Sequence, residues 1–266
     1  MRGVLRLLLA GFLLGRAPLA AHDLWLEPSS FRPAVGERVE VDLRVGHPGA
    51  EAETMTRNPA RIERFTAVST GGEAPILGRD GGRPAGLLRP AVPGLLTLVY
   101  RTNDARQELP APKFEAYLAE EGLLHIAKLR RERGQADAPG RELYSRALKA
   151  LLAVGGDVGS GDRPSGLEFE LVSEVNPFTL QPGATFPVRV LDRGRGVPGI
   201  LIDALPLDGG VGATSAVSDA DGRVRLLLRR GGGWVLTAVT MREAPGGSGA
   251  DWESIWTSLT FSIPQP

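Results

Sequence analysis

The chain alternates between apolar and polar residues over most of its length, at a period of two. Asp23-Leu24-Trp25-Leu26-Glu27 reads as a half-buried strand, closed by Pro28 and the Ser29-Ser30 pair. From Arg38 to Val45 the alternation is strict. Val39, Val41, Leu43 and Val45 point one way and the charged residues the other. Further strands are expected over Arg61 to Ser69, Gly94 to Arg101 and Leu167 to Leu171. After Pro177 and Pro182-Gly183 the pattern resumes. It predicts strands over Phe186 to Leu191, Val197 to Leu205, Val224 to Leu228, Trp234 to Met241 and Ser258 to Ile263. Glycine, proline, aspartate and asparagine fill the gaps, as turns require.

The period changes once. After Pro112, Phe114, Tyr117 and Leu118 sit at helical spacing, with Glu115, Glu120, Lys128 and Arg131 on the polar side. A second helix is expected from Arg141 to about Val154, with Leu143, Tyr144, Ala147, Leu148 and Leu151 apolar and Gly155-Gly156 ending it. The expected fold is mainly β. Two immunoglobulin-like or prealbumin-like β-sandwich domains are expected over residues 22–173 and 174–266, with a helical hairpin at about 112–155 inserted in or after the first.

The first residues break this pattern. Arg2 and Arg6 precede an apolar run from Leu7 to Leu14, and small residues follow up to Ala21. This is the layout of a secretory signal peptide over residues 1–21, and the run is short for a membrane span. The mature protein is therefore expected in the periplasm or otherwise exported, beginning at His22. No cysteine follows the run, so a lipoprotein anchor is excluded.

Composition narrows the chemistry. The 266 residues are 42% hydrophobic and 23% charged, as in ordinary globular proteins. Lys+Arg and Asp+Glu balance at 31 each, so no bulk field favours nucleic acid. Cysteine is absent, which removes disulfides, thiolate catalysis and cysteine zinc sites. No G-x-S-x-G elbow, H-E-x-x-H, phosphate loop or dinucleotide fingerprint occurs, and an enzyme is not expected.

Three histidines remain: His22, His47 and His125. His125 lies near the apolar stripe of its helix and reads as a packed or capping residue. His47 stands in the turn Val45-Gly46-His47-Pro48-Gly49, where sandwich loops present ligands. His22 as a new N-terminus offers an amine and an imidazole from one residue. With the His47 ring, three nitrogens would suit Ni(II) or Cu(II). The alternative is that His22 is merely the residue next to the cleavage site. Trp252 and Trp256, beside Asp251 and Glu253, either line a ligand or sugar groove or pack at the domain junction.

The segments AHDLWLEPSSFRP, VGHPG and ADWESIWTSLTF, with the helical hairpin, resemble an exported bacterial family of unknown function described as nickel-uptake-like, the periplasmic substrate-specific part of nickel transport. The resemblance implies a metal site on His22 and His47. Asp23 or Glu51 is expected to assist it, and a membrane transport component is the expected partner. The resemblance also implies a third histidine where this chain has Thr240, in Ala238-Val239-Thr240-Met241. The expected function is capture or delivery of a divalent transition metal. The alternative is a non-catalytic envelope module that binds a protein or carbohydrate.

Overall fold

The computed structural model describes residues 23–156, 159 and 161–265. The signal peptide expected over residues 1–21, and His22 itself, lie outside these residues. In chain order the strands are β1 (Leu24–Pro28), β2 (Val39–Val45), β3 (Glu53–Met55), β4 (Ile62–Ser69), β5 (Gly72–Pro75), β6 (Gly86–Leu88), β7 (Gly94–Thr102) and β8 (Ala105–Leu109). Two helices come next, α1 (Ala111–Glu120) and α2 (Leu124–Glu132). Then come β9 (Gly140–Val154), β10 (Phe169–Ser173), β11 (Ala184–Asp192), β12 (Arg195–Gly196), β13 (Leu201–Pro206), β14 (Thr214–Val217), β15 (Arg223–Leu228), β16 (Gly232–Glu243) and β17 (Trp252–Ile263).

The protein is mainly β and built as sandwiches around one shared sheet. That sheet runs β14-β13-β16-β17-β9-β7-β4-β5, with β8 also paired to β9. Its centre is the parallel pair β9 and β17, in register from Trp252 opposite Glu142 to Thr260 opposite Ala150. One face of the sheet carries the small sheet β1-β2-β3 with β6. Leu26, Val41 and Leu43 pack there with Leu98, Tyr100, Leu148 and Leu152. Farther along the same face α1 and α2 cover Val239, Met241, Trp252 and Trp256 with Phe114, Tyr117, Leu118 and Ile126. The opposite face carries β10-β11-β12 with β15. There Phe169, Phe186 and Leu226 pack on Leu151, Leu236, Leu259 and Phe261. The large sheet thus takes strands from both halves of the sequence. β10, which ends at Ser173, and β11 are hydrogen-bonded neighbours.

The second helix expected over Arg141 to Val154 is instead β9. Its apolar residues do not alternate because both faces are buried, from Ala147 to Val154 without exception. A strand covered on both sides reads as a continuous apolar run, and leucine and alanine biased that run toward helix. Two helices do occur, but both fall within the segment read as the first one, Ala111–Glu120 and Leu124–Glu132, separated at Gly122, whose φ of 69° suits glycine.

Gly140 shows how tightly the hairpin meets the sheet. A Cβ at this position would lie 2.3 Å from Cγ of the Phe114 ring. Phe114 is fully buried, so the ring has nowhere to go. Gly140→Ala is expected to destabilise the fold by about 1–3 kcal/mol through overpacking, read as a lower urea midpoint with an unchanged slope.

Candidate functional site

The site begins where β1 and β2 end. Leu24 lies opposite Val45, and one residue beyond the ladder the Gly46 amide donates to the Asp23 carbonyl at 3.0 Å. Asp23 and the His47 turn therefore emerge side by side. Gly46 and Gly49, at φ of 115° and 120°, give the turn its shape. Its tip packs on a second turn, since a Cβ at Gly49 would lie 3.1 Å from the Gly209 Cα. That second turn comes after β13, which carries Asp203.

Asp203 lies opposite Thr237 on β16 and opposite Ser215 on β14, and the Ser215 hydroxyl donates to its carboxylate. Thr237 hydrogen-bonds the Asp23 side chain. Glu121 arrives from the turn between the helices, whose Gly122 rests against Leu201 of β13. Arg146 comes from β9. Its guanidinium lies 4.6 Å over the Trp256 ring, and its backbone N–H donates to the Thr102 hydroxyl.

Asp23 and Glu121 thus share the field of one buried arginine, with Asp203 beside them. Burial pushes the Asp23 carboxyl up to about 6, against the pull of Arg146, the Thr237 hydrogen bond and His47; Asp203 adds to the rise. Burial pushes Glu121 up to about 8, and Asp23, Glu120 and Asp203 push in the same direction, opposed by Arg146. Both carboxyls are raised chiefly because burial penalises their charge, which Arg146 only partly offsets.

A cavity of about 120 Å³ opens next to this group. Arg146, Arg61, Tyr100 and Tyr144 line it beside Leu24, Val45 and Met55. Deeper in the sheet, Glu142 accepts from the Tyr117 hydroxyl at 3.1 Å, from Gln107 at 2.6 Å and from the Ser254 hydroxyl. Its burial raises it, and those donors act against the rise.

The expected residues fall into two groups. Asp23 and His47 come together. Glu51 is exposed on the same turn, and its backbone oxygen lies near Gly46. Thr240 is on the wrong side of the sheet: it shares a face of β16 with Leu236 and Ala238, opposite the face of Thr237, Val239 and Met241. A third ligand from position 240 cannot join His47 there. His125 donates from its ring to the Met241 carbonyl at 3.2 Å. Trp252 and Trp256 are buried under the helices, and neither offers a face for a sugar. Glu121, Asp203 and Arg146 escape a reading of the sequence because each looks like a surface charge within its own segment. The signals were an aspartate among the apolar residues of β13 and an arginine inside the apolar run of β9.

No curated protein matches this chain. Among solved structures, the D0-D1 domain of Intimin shares 11% identity over 90% of this chain and 97% of its own, at a TM-score of 0.21. The dimeric latent PorU from Porphyromonas gingivalis shares 11% identity over 88% of this chain and 20% of its own, at a TM-score of 0.20. The family model described as a domain of unknown function, DUF4198, matches residues 19–242, and the chain belongs to that family.

Proposed function

We propose that the mature protein is a periplasmic metal-binding protein that captures or delivers a divalent transition metal, Ni(II) or Cu(II), in a nickel-uptake-like role. One observation carries the reading. Asp23 and His47 stand together at the open end of the β1–β2 ladder, beside Glu121, where burial opposes the negative charge of the carboxylates. A bound cation would offset that penalty.

The donor chemistry fits a borderline divalent ion, with imidazole from His47 and carboxylate from Asp23. Among the described residues no three histidine, aspartate or glutamate side chains gather closely enough to hold a metal alone. The reading therefore needs the amine and ring of His22. Asp23, the residue next to 22 in the chain, emerges beside the His47 turn, which supports that amine and ring as the missing donors. The α-amine of a chain starting at residue 22 releases its proton near neutral pH, which makes it a usable ligand. Glu51 lies exposed within the same turn. Export rests on the sequence of the first 21 residues. Among the described residues no helix is long and apolar enough to cross a membrane.

The test is calorimetry on protein processed to begin at His22, titrated with Ni(II) and Cu(II). One ion binds per chain, with proton release. His47→Ala, or one extra residue before His22, weakens binding roughly tenfold or more. Absence of heat for both metals with the native N-terminus removes the reading.

A further inference from the structure

On the other face of the sheet a second charged group sits without solvent. Lys149 of β9, Asp162 and Glu170 of β10 have side-chain exposures of 0%, 0% and 2%. The Lys149 Nζ lies 2.7 Å from Asp162 Oδ2 and 3.3 Å from Glu170 Oε2. Two carboxylates on one ammonium leave excess negative charge in a site that water does not reach, an arrangement that burial penalises. The partners divide the roles. Every partner of Glu170 donates to it: Ser165 through both its backbone N–H and its hydroxyl, Gly166 through its N–H, and Lys149. Asp162 is raised by burial, which favours a proton on that carboxyl. Its Oδ1 accepts the Arg163 N–H at 2.8 Å, while its Oδ2 faces the amine and also accepts the Ser173 N–H at 3.3 Å.

We propose that Lys149 and Asp162 are joined by an intramolecular amide bond, formed without any external reagent and with Glu170 as the proton carrier. One ammonium proton passes to Asp162 Oδ2, leaving a neutral amine beside a neutral carboxyl. Nζ then attacks Cγ while Glu170 takes a second proton from the nitrogen. Negative charge gathers on Oδ1, facing the Arg163 N–H. Glu170 returns its proton to Oδ2, the Cγ–Oδ2 bond breaks, and one water leaves. The N–Cγ bond forms, no electron is exchanged, and the group keeps a single negative charge throughout, on Glu170 at the end. Fixed geometry and exclusion of water supply the driving arrangement. The amide would tie the shared sheet, through β9, to the segment that leads into β10.

The test is mass spectrometry of the denatured mature protein and of its tryptic digest. The wild-type chain is expected to be lighter than its sequence by one water, and the digest to contain a branched peptide joining the segments of Lys149 and Asp162. Glu170→Gln should have full mass, and Asp162→Asn should lose one ammonia instead. Full sequence mass in the wild-type protein overturns the proposal. So does a lost water that maps elsewhere, as at Asp208–Gly209. An unchanged branched peptide in Glu170→Gln overturns the role of Glu170. The wild-type measurement stands even if a variant does not fold.

Discussion

Glu121→Gln is expected to stabilise the protein at pH 8 and to weaken its hold on a metal. In the folded chain Glu121 keeps its proton up to about pH 8, because burial and the neighbouring Asp23, Glu120 and Asp203 oppose its charge. In the unfolded chain it ionises near its ordinary value of 4.5. Between those values the folded state holds the extra proton, so stability falls as pH rises. Below about 4.5 the penalty is absent, and above about 8 it is complete. Asp23 adds the same dependence between 3.8 and about 6. Full burial would make the Glu121 effect several kcal/mol. Glu121 remains partly accessible, and screening reduces the expected gain of the glutamine variant to about 1–3 kcal/mol at pH 8. Urea midpoints measured from pH 5 to pH 9 should fall with pH in the wild-type protein and fall less in the variant. Added Ni(II) should raise the wild-type midpoint at pH 8 more than the variant's. Parallel pH profiles for the two proteins would end the view that Glu121 is an uncompensated charge.

Much of this arrangement was open to reading in the sequence, and the failures have physical causes. β2 is buried at Val39, Val41, Leu43 and Val45 and partly exposed between them, so its alternation was plain. β9 is hidden because the shared sheet is covered on both faces, and a central strand needs no polar side. Its charged residues, Glu142, Arg146 and Lys149, fall at the spacing of one helix face. Each in fact has partners brought from distant segments: Ser254 and Gln107 for Glu142, Trp256 for Arg146, Asp162 and Glu170 for Lys149. The site shows the same division. Asp23 and His47 were legible because local rules made them so, a chain end and a glycine turn. Asp203 and Glu121 join them only through pairings that span the whole chain, and spacing in one dimension does not record those.

Trp256→Ala is the substitution expected to damage the fold most, because three kinds of contact meet on that ring. Trp256 is 3% exposed and lies in the core beneath the helices. Tyr117 stacks on it, with centroids 5.5 Å apart and planes 10° from parallel. The Arg146 guanidinium sits 4.6 Å from the ring centroid, held there beside Asp23 and Glu121. Deleting a buried aromatic side chain removes its transfer free energy and leaves a cavity, together about 3–5 kcal/mol. Loss of the platform under Arg146 adds roughly 0.5–2 kcal/mol. Trp256→Phe separates packing from hydrogen bonding, because the indole Nε1 has no hydrogen-bond partner among the described residues. Phenylalanine keeps a ring against both Tyr117 and Arg146, and is expected to lose about 1–2 kcal/mol. Denaturation followed by circular dichroism should rank the wild-type protein above the phenylalanine variant and that above alanine. The alanine variant should also show a metal affinity reduced beyond the phenylalanine variant's, since a displaced Arg146 changes the field at Asp23. A loss below about 1 kcal/mol for alanine would mean that the helices are held to the sheet by other contacts, and that Arg146 needs no aromatic support to face the carboxylates.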